Sequence, residues 1–122
     1  MQFDHDLQSP YSDLFLHLRE MLLSFEALHE IQNAKLTSYK DSDGMAIVLM
    51  RVRDDGVRLI FARGVELEEM FPFLLGEGKI VRHVIIRSME DVKNIPIREM
   101  IGESLVLAME HREMRKMRKN IL

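Results

Sequence analysis

No cysteine occurs among the 122 residues, so disulfides, thiolate metal sites and cysteine nucleophiles are excluded. No apolar run approaches the roughly 20 residues that a membrane-spanning helix requires. The opening residues, Met1-Gln-Phe-Asp-His-Asp6, are acidic and lack the apolar stretch of a signal peptide. A cytoplasmic location and no membrane partner are the expectation. Positive charge is not in excess either. Seventeen Lys and Arg stand against twenty Asp and Glu, a formal net charge of −3, which argues against general duplex-DNA binding, where a basic surface supplies most of the affinity. Catalytic signatures are missing as well. There is no H-E-x-x-H pair, and Gly76-Glu-Gly78 is too short a glycine signal to cradle a nucleotide. A non-enzymatic binding or accessory protein is expected.

What is present describes a globular chain. Hydrophobic residues make up 47% and charged residues 30%, the balance of one soluble domain spanning residues 1–122 with a single core. Ser9-Pro10-Tyr11-Ser12 is a helix entry, and Leu14, Leu18, Met21, Leu22, Phe25 and Leu28 recur at three- and four-residue spacing. Ile31 to Tyr39 reads as a weak strand and Met45 to Arg53 as a strong one. Asp55-Gly56 then marks a hairpin into Val57 to Arg63. A further strand is expected from Gly78 to Arg87, after a connection holding about one helical turn. Ser88-Met-Glu-Asp91 has capping-box spacing and Pro96 suits a first helical turn, so the chain is expected to be helical to about Lys119. The fold expected is α+β: an antiparallel sheet of four to five strands, with N- and C-terminal helices packed on one face.

Three surfaces are candidates for function. The first is a basic sheet face. Alternation sends His83, Ile85 and Arg87 away from the core if Val84 and Ile86 face it. Arg51 and Arg53 share one face of their strand, and Arg58 lies opposite Leu59 and Phe61. If these sets align, Arg51, Arg53, His83 and Arg87 form an anion-binding surface for phosphate, an acidic peptide or RNA. The alternative is a solvated face whose arginines pair with Asp54, Asp55 and Glu66. Stacking aromatics, which nucleic-acid-binding sheets carry, are missing from these strands except Phe61 on the core set.

The second is a metal site. Asp13, His17 and Glu20 sit at i, i+4 and i+7 on the first helix, away from its apolar stripe. Imidazole and carboxylate ligands suit weak Fe(II) binding, and an ordinary polar helix face is the alternative. Asp4-His5-Asp6 would add ligands but is expected to be frayed. His29 and His111 have no evident partners.

The third is the last helix. Its core stripe, Ile97, Ile101, Leu105, Ala108 and Met109, gives way to Arg112, Arg115, Lys116 and Lys119. The basic segment 110–122 is then either frayed or used in assembly. Met100, Leu107, Met114 and Ile121 recur every seven residues, a seam that would support a homodimer; the alternative is a broad core stripe.

The runs Gly56-Val-Arg-Leu-Ile-Phe-Ala-Arg-Gly64, Leu74-Leu-Gly-Glu-Gly-Lys79 and Arg82-His-Val-Ile-Ile-Arg-Ser88 resemble the YdhG-like domain family. The resemblance covers about Met45 to Asp91, and that family is bacterial and mostly of unknown function. It implies a frataxin-like α-β-α arrangement and, with it, weak handling or delivery of Fe(II) through acidic surface on the first helix.

Overall fold

The computed structural model describes residues 1–121; the side chain of Ile121 and the whole of Leu122 lie outside the described residues. Two helices come first, α1 (Gln2–Leu7) and α2 (Ser12–Leu23), followed by strands β1 (His29–Gln32), β2 (Thr37–Lys40), β3 (Ala46–Arg53) and β4 (Gly56–Phe61). A single turn, α3 (Gly64–Leu67), leads to β5 (Arg82–Ile86), and α4 (Met89–Asn94) and the long α5 (Ile97–Ile121) close the order. The strands form one antiparallel sheet in the order β1-β2-β3-β4-β5. The α+β fold expected from the sequence is the one observed.

The register decides which face is buried. Val48 opposes Phe61, Met50 opposes Leu59, and Val84 stands beyond Leu59 on β5. These five side chains and Ile86 are at most 3% exposed. Phe15, Leu18 and Leu22 of α2 join them in the core, as do Ile97, Met100, Ile101 and Ala108 of α5. Both long helices therefore cover the same sheet face. The opposite face carries Leu49, Arg51, Arg58, Ile60, His83 and Ile85, none of them fully buried.

Ion pairing fixes α2 against the sheet edge. Arg19 donates to both carboxylate oxygens of Glu30 on β1, at 2.7 and 3.0 Å, a bidentate geometry stronger than an ordinary surface pair. Buried Tyr39 and half-buried Gln32 donate to the same carboxylate. Burial pushes Glu30 up, but the hydrogen bonds from Arg19, Gln32 and Tyr39 outweigh it and hold the group below its ordinary value.

Four elements differ from the sequence reading. Ile31 to Tyr39 is a hairpin, β1 turning into β2 where the Asn33 N–H donates to the Leu36 carbonyl at 3.0 Å. β5 starts at Arg82, not Gly78, because the Arg82 guanidinium draws the preceding loop back, donating to Glu68 and to the carbonyls of Gly78 and Val81. The N-terminal residues form α1, held by an edge-on contact of Phe3 with Phe15 at 5.5 Å and by Arg19 above the Phe3 ring. Finally, the core stripe of α5 ends at Ala108; Met109 is half exposed. The helix nevertheless continues through the basic segment, tethered by His111 to Glu66 at 2.9 Å and by Arg112 to Asp43 and Asp41. His111 thus has a partner that its sequence neighbours did not reveal. Among the described residues, no helix is long and apolar enough to cross a membrane.

Gly56 closes the β3–β4 hairpin with φ of 142°, and a Cβ there would stand 2.6 Å from the Ile86 carbonyl oxygen. Gly56→Ala is expected to lower stability by about 2 kcal/mol, from the strain of that backbone region, in urea unfolding with the far-UV dichroism retained. An unchanged unfolding midpoint would contradict this packing.

Candidate functional site

The open sheet face is built by three strands in register. Arg51 on β3 lies directly opposite Arg58 on β4, and Ile85 on β5 lies beyond Arg58. The next row holds Leu49, Ile60 and His83. Arg53 ends β3, and Arg87 follows β5 at the rim, exposed, with its backbone N–H donated to Asp91 at 2.8 Å. The alignment expected from alternation is therefore present for Arg51, Arg58 and His83, with Arg53 and Arg87 at the edge of the same surface.

Like charges directly opposite on an antiparallel pair repel. Burial, then the charges of Arg53 and Arg58, holds the Arg51 guanidinium below its ordinary value. The Nε atoms of Arg51 and Arg58 are both buried and have no hydrogen-bond partner. Among the described residues, Arg58 reaches only Asp55, at 3.7 Å. Among the described residues, Arg51 and Arg53 have no ion pair. Glu66, the other expected partner, is held by Arg63 and His111 instead. Burial and the charge of Arg58 lower His83, against a smaller opposing effect of Asp55. The imidazole is therefore neutral near pH 7, and the fixed positive charge comes from the arginines.

Asp6 belongs to this site and was not foreseen. The β2 pairing stops at Met50, opposite Thr37, the first residue of that strand, so the Val52 N–H has no strand beside it. The Asp6 carboxylate fills that place, accepting from Val52 at 3.1 Å and from the Gln2 amide at 2.8 Å. Its other oxygen is buried without a partner. Burial raises Asp6 above the ordinary aspartate value, while the Gln2 and Val52 hydrogen bonds and the nearby Arg51 charge offset part of the rise. Around it lies a polar hollow of about 420 Å³, lined by His5, Tyr11, Arg51 and Arg53 among others. Nothing in Asp4-His5-Asp6 singles out Asp6, because its role depends on where the β2 pairing stops.

The metal ligands do not converge. Asp13, His17 and Glu20 are exposed on one side of α2, but Asp13 and Glu20 are separated by about 10 Å along a helix rising 1.5 Å per residue. Among the described residues, no group of three or more His, Asp or Glu side chains is placed to hold a metal ion. Asp6, expected to be free to add a ligand, is committed to Val52 and Gln2.

The seven-residue row of α5 is also divided. Met100 is fully buried in the core and Leu107 packs against it, whereas Met114 is 52% exposed; the side chain of Ile121 lies outside the described residues. The row starts inside the core and runs past Ala108, its last buried neighbour, so Met100 is covered within the chain while Met114 is open to solvent. A cleft of about 710 Å³ beneath the end of α5 is basic, but Arg112 and Lys116 there are already paired with Asp43 and Glu113.

A raised carboxyl has a defined pH signature. Asp6 contributes stability that is complete below its unfolded value, near 3.8, and lost as pH rises through its higher folded value. Asn keeps the acceptor for Val52 and removes the buried charge. Asp6→Asn is therefore expected to gain stability relative to wild type between about pH 4 and about pH 7 in parallel urea titrations. A difference that stays constant or falls would show that the carboxylate is not disfavoured there.

No family model, curated protein or solved structure matches the chain, and a functional reading has to come from these side chains.

Proposed function

We propose that this is a binding domain rather than an enzyme, and that its open sheet face takes an acidic peptide segment of a protein partner. The observation that carries the reading is the Arg51–Arg58 pair: two arginines directly opposite each other across β3 and β4, with their Nε atoms buried and unpartnered. A carboxylate bound against the pair would relieve the repulsion between the two charges. Arg53 and the hollow beside Asp6 extend the site for a second acidic side chain.

The rest of the face selects among anions. Half-buried Leu49, Ile60 and Ile85 lie beside the arginines, which suits a peptide alternating acidic and aliphatic residues. RNA would need stacking aromatics, and Phe61 faces the core at 0% exposure. Inorganic phosphate would use the charge but leave the aliphatic surface uncovered. Weak Fe(II) handling through Asp13, His17 and Glu20, implied by the family resemblance, has no convergent ligand group behind it.

Calorimetric titration with an alternating Glu–Leu peptide tests this reading. Wild type is expected to bind with an affinity that falls as salt is raised, and Arg51→Ala or Arg58→Ala should weaken binding by about tenfold each, the scale of a lost charge-assisted contact. Binding should strengthen as the pH is lowered far enough for His83, held below its ordinary value by burial and by Arg58, to gain its proton. Equal affinity in wild type and both variants, or tighter binding of an oligouridine than of the peptide, would refute it.

A further inference from the structure

The outer face of α5 has the chemistry that the sheet face lacks. Glu99, Glu103, Val106, Glu110, Glu113 and Met117 are spaced by four and three residues in turn, so they share one side of the helix. The apolar members are open to solvent, Val106 at 40% and Met117 at 60%, and Met114 beside them at 52%. Met109, Met114 and Met117 with Glu110 and Glu113 line a continuous shallow depression of about 470 Å³. Exposed methionines on one helix face form an adaptable contact surface. The cations of the segment lie elsewhere: Arg112, Arg115 and Lys119 continue the core-facing side set by Ile101 and Ala108. The outward side therefore offers apolar groups and carboxylates, while the sheet face offers apolar groups and guanidinium groups.

The two surfaces cannot meet within one chain. Ile97, Met100, Ile101 and Ala108 hold α5 against the covered face of the sheet, so its acidic side points away from the protein, with the layer of helices and the sheet between it and Arg51. We infer that the acidic segment recognised by the sheet face is the outer side of α5 from a second copy of this chain. This inference rests on the reading of the sheet face given above and names its partner. Glu110 has no ion pair among the described residues, and Glu113 has only an exposed one with Lys116 at 3.6 Å, so both carboxylates are available to Arg51, Arg53 and Arg58. The projecting end of α5 places them: thirteen residues follow Ala108, about 20 Å of helix at 1.5 Å per residue, beyond the last buried side chain. Because the two faces lie on opposite sides of the chain, copies joined in this way add head to tail, each offering its α5 end to the sheet face of the next.

Charge exchange tests this. Wild type is expected to sediment as dimers and larger head-to-tail oligomers at high micromolar concentration in low salt and to dissociate as salt is raised. Arg51→Glu with Arg58→Glu should give a monomer, and so should Glu110→Arg with Glu113→Arg, the second pair lying on exposed helix surface where folding is not at stake. An equimolar mixture of the two variants should associate again, because each altered face then meets its complement. The inference is overturned if wild type is monomeric under these conditions, if the Glu110 and Glu113 variant still self-associates, or if two folded variants fail to assemble when mixed. A monomeric wild type that still binds the Glu–Leu peptide through Arg51 would remove the second copy as partner and leave the sheet-face reading standing.

Discussion

Everything in this protein depends on the register between β3 and β4. Side chains alternate along a strand, so a slip of one residue would send the whole apolar set of a strand to solvent. The Asp54-Asp55-Gly56 turn sets the pairing, with Arg53 opposite Gly56 and Val52 opposite Val57. That choice places Val48, Met50, Leu59 and Phe61 beneath the helices at 0% exposure, and the burial of four large side chains outweighs what the other face loses. The other face necessarily receives Arg51 opposite Arg58. A directly opposed like-charge pair costs a fraction of a kcal/mol to about 1 kcal/mol, small beside the roughly 1.5 to 3 kcal/mol for each buried apolar side chain. The core therefore imposes the arrangement, and the surface holds an unneutralised pair of cations as its consequence.

The helices then divide the molecule into unlike surfaces. The Arg19–Glu30 pair and the aromatic contact of Phe3 with Phe15 hold α1 and α2 in place. That position brings Asp6 to Val52, just past the point where Thr37 begins β2 opposite Met50. On the far side, α5 outlasts the core and leaves methionines and glutamates facing outward. A basic, partly aliphatic sheet face and an acidic, partly aliphatic helix face thus lie on opposite sides of the same chain.

Much of this was legible in the sequence, for identifiable reasons. The sheet was readable from Asp55-Gly56 and from alternation in two strongly apolar strands. One-sided packing followed from apolar stripes in both long helices. Arg51, Arg58 and His83 could be placed on one face because alternation needs only a correct choice of core residues. The hairpin within Ile31 to Tyr39 was not readable, since Asn33-Ala-Lys35 lacks the Asp-Gly or Asn-Gly that announces a tight turn. Asp6 was hidden because its partner is a backbone N–H forty-six residues away. In the row of Met100, Leu107 and Met114, spacing alone could not tell that Met100 is covered by the core while Met114 lies beyond it. Asp13, His17 and Glu20 share a side but do not converge on a point.

Backbone amide chemical-shift mapping with an acidic–aliphatic peptide tests the central claim most directly. The account predicts perturbations concentrated on β3, β4 and β5, at Leu49, Arg51, Arg58, His83 and Ile85, and extending to Asp6 and Val52. Shifts confined to α2 around Asp13, His17 and Glu20, or to the basic underside of α5 at Arg115 and Lys119, would contradict it.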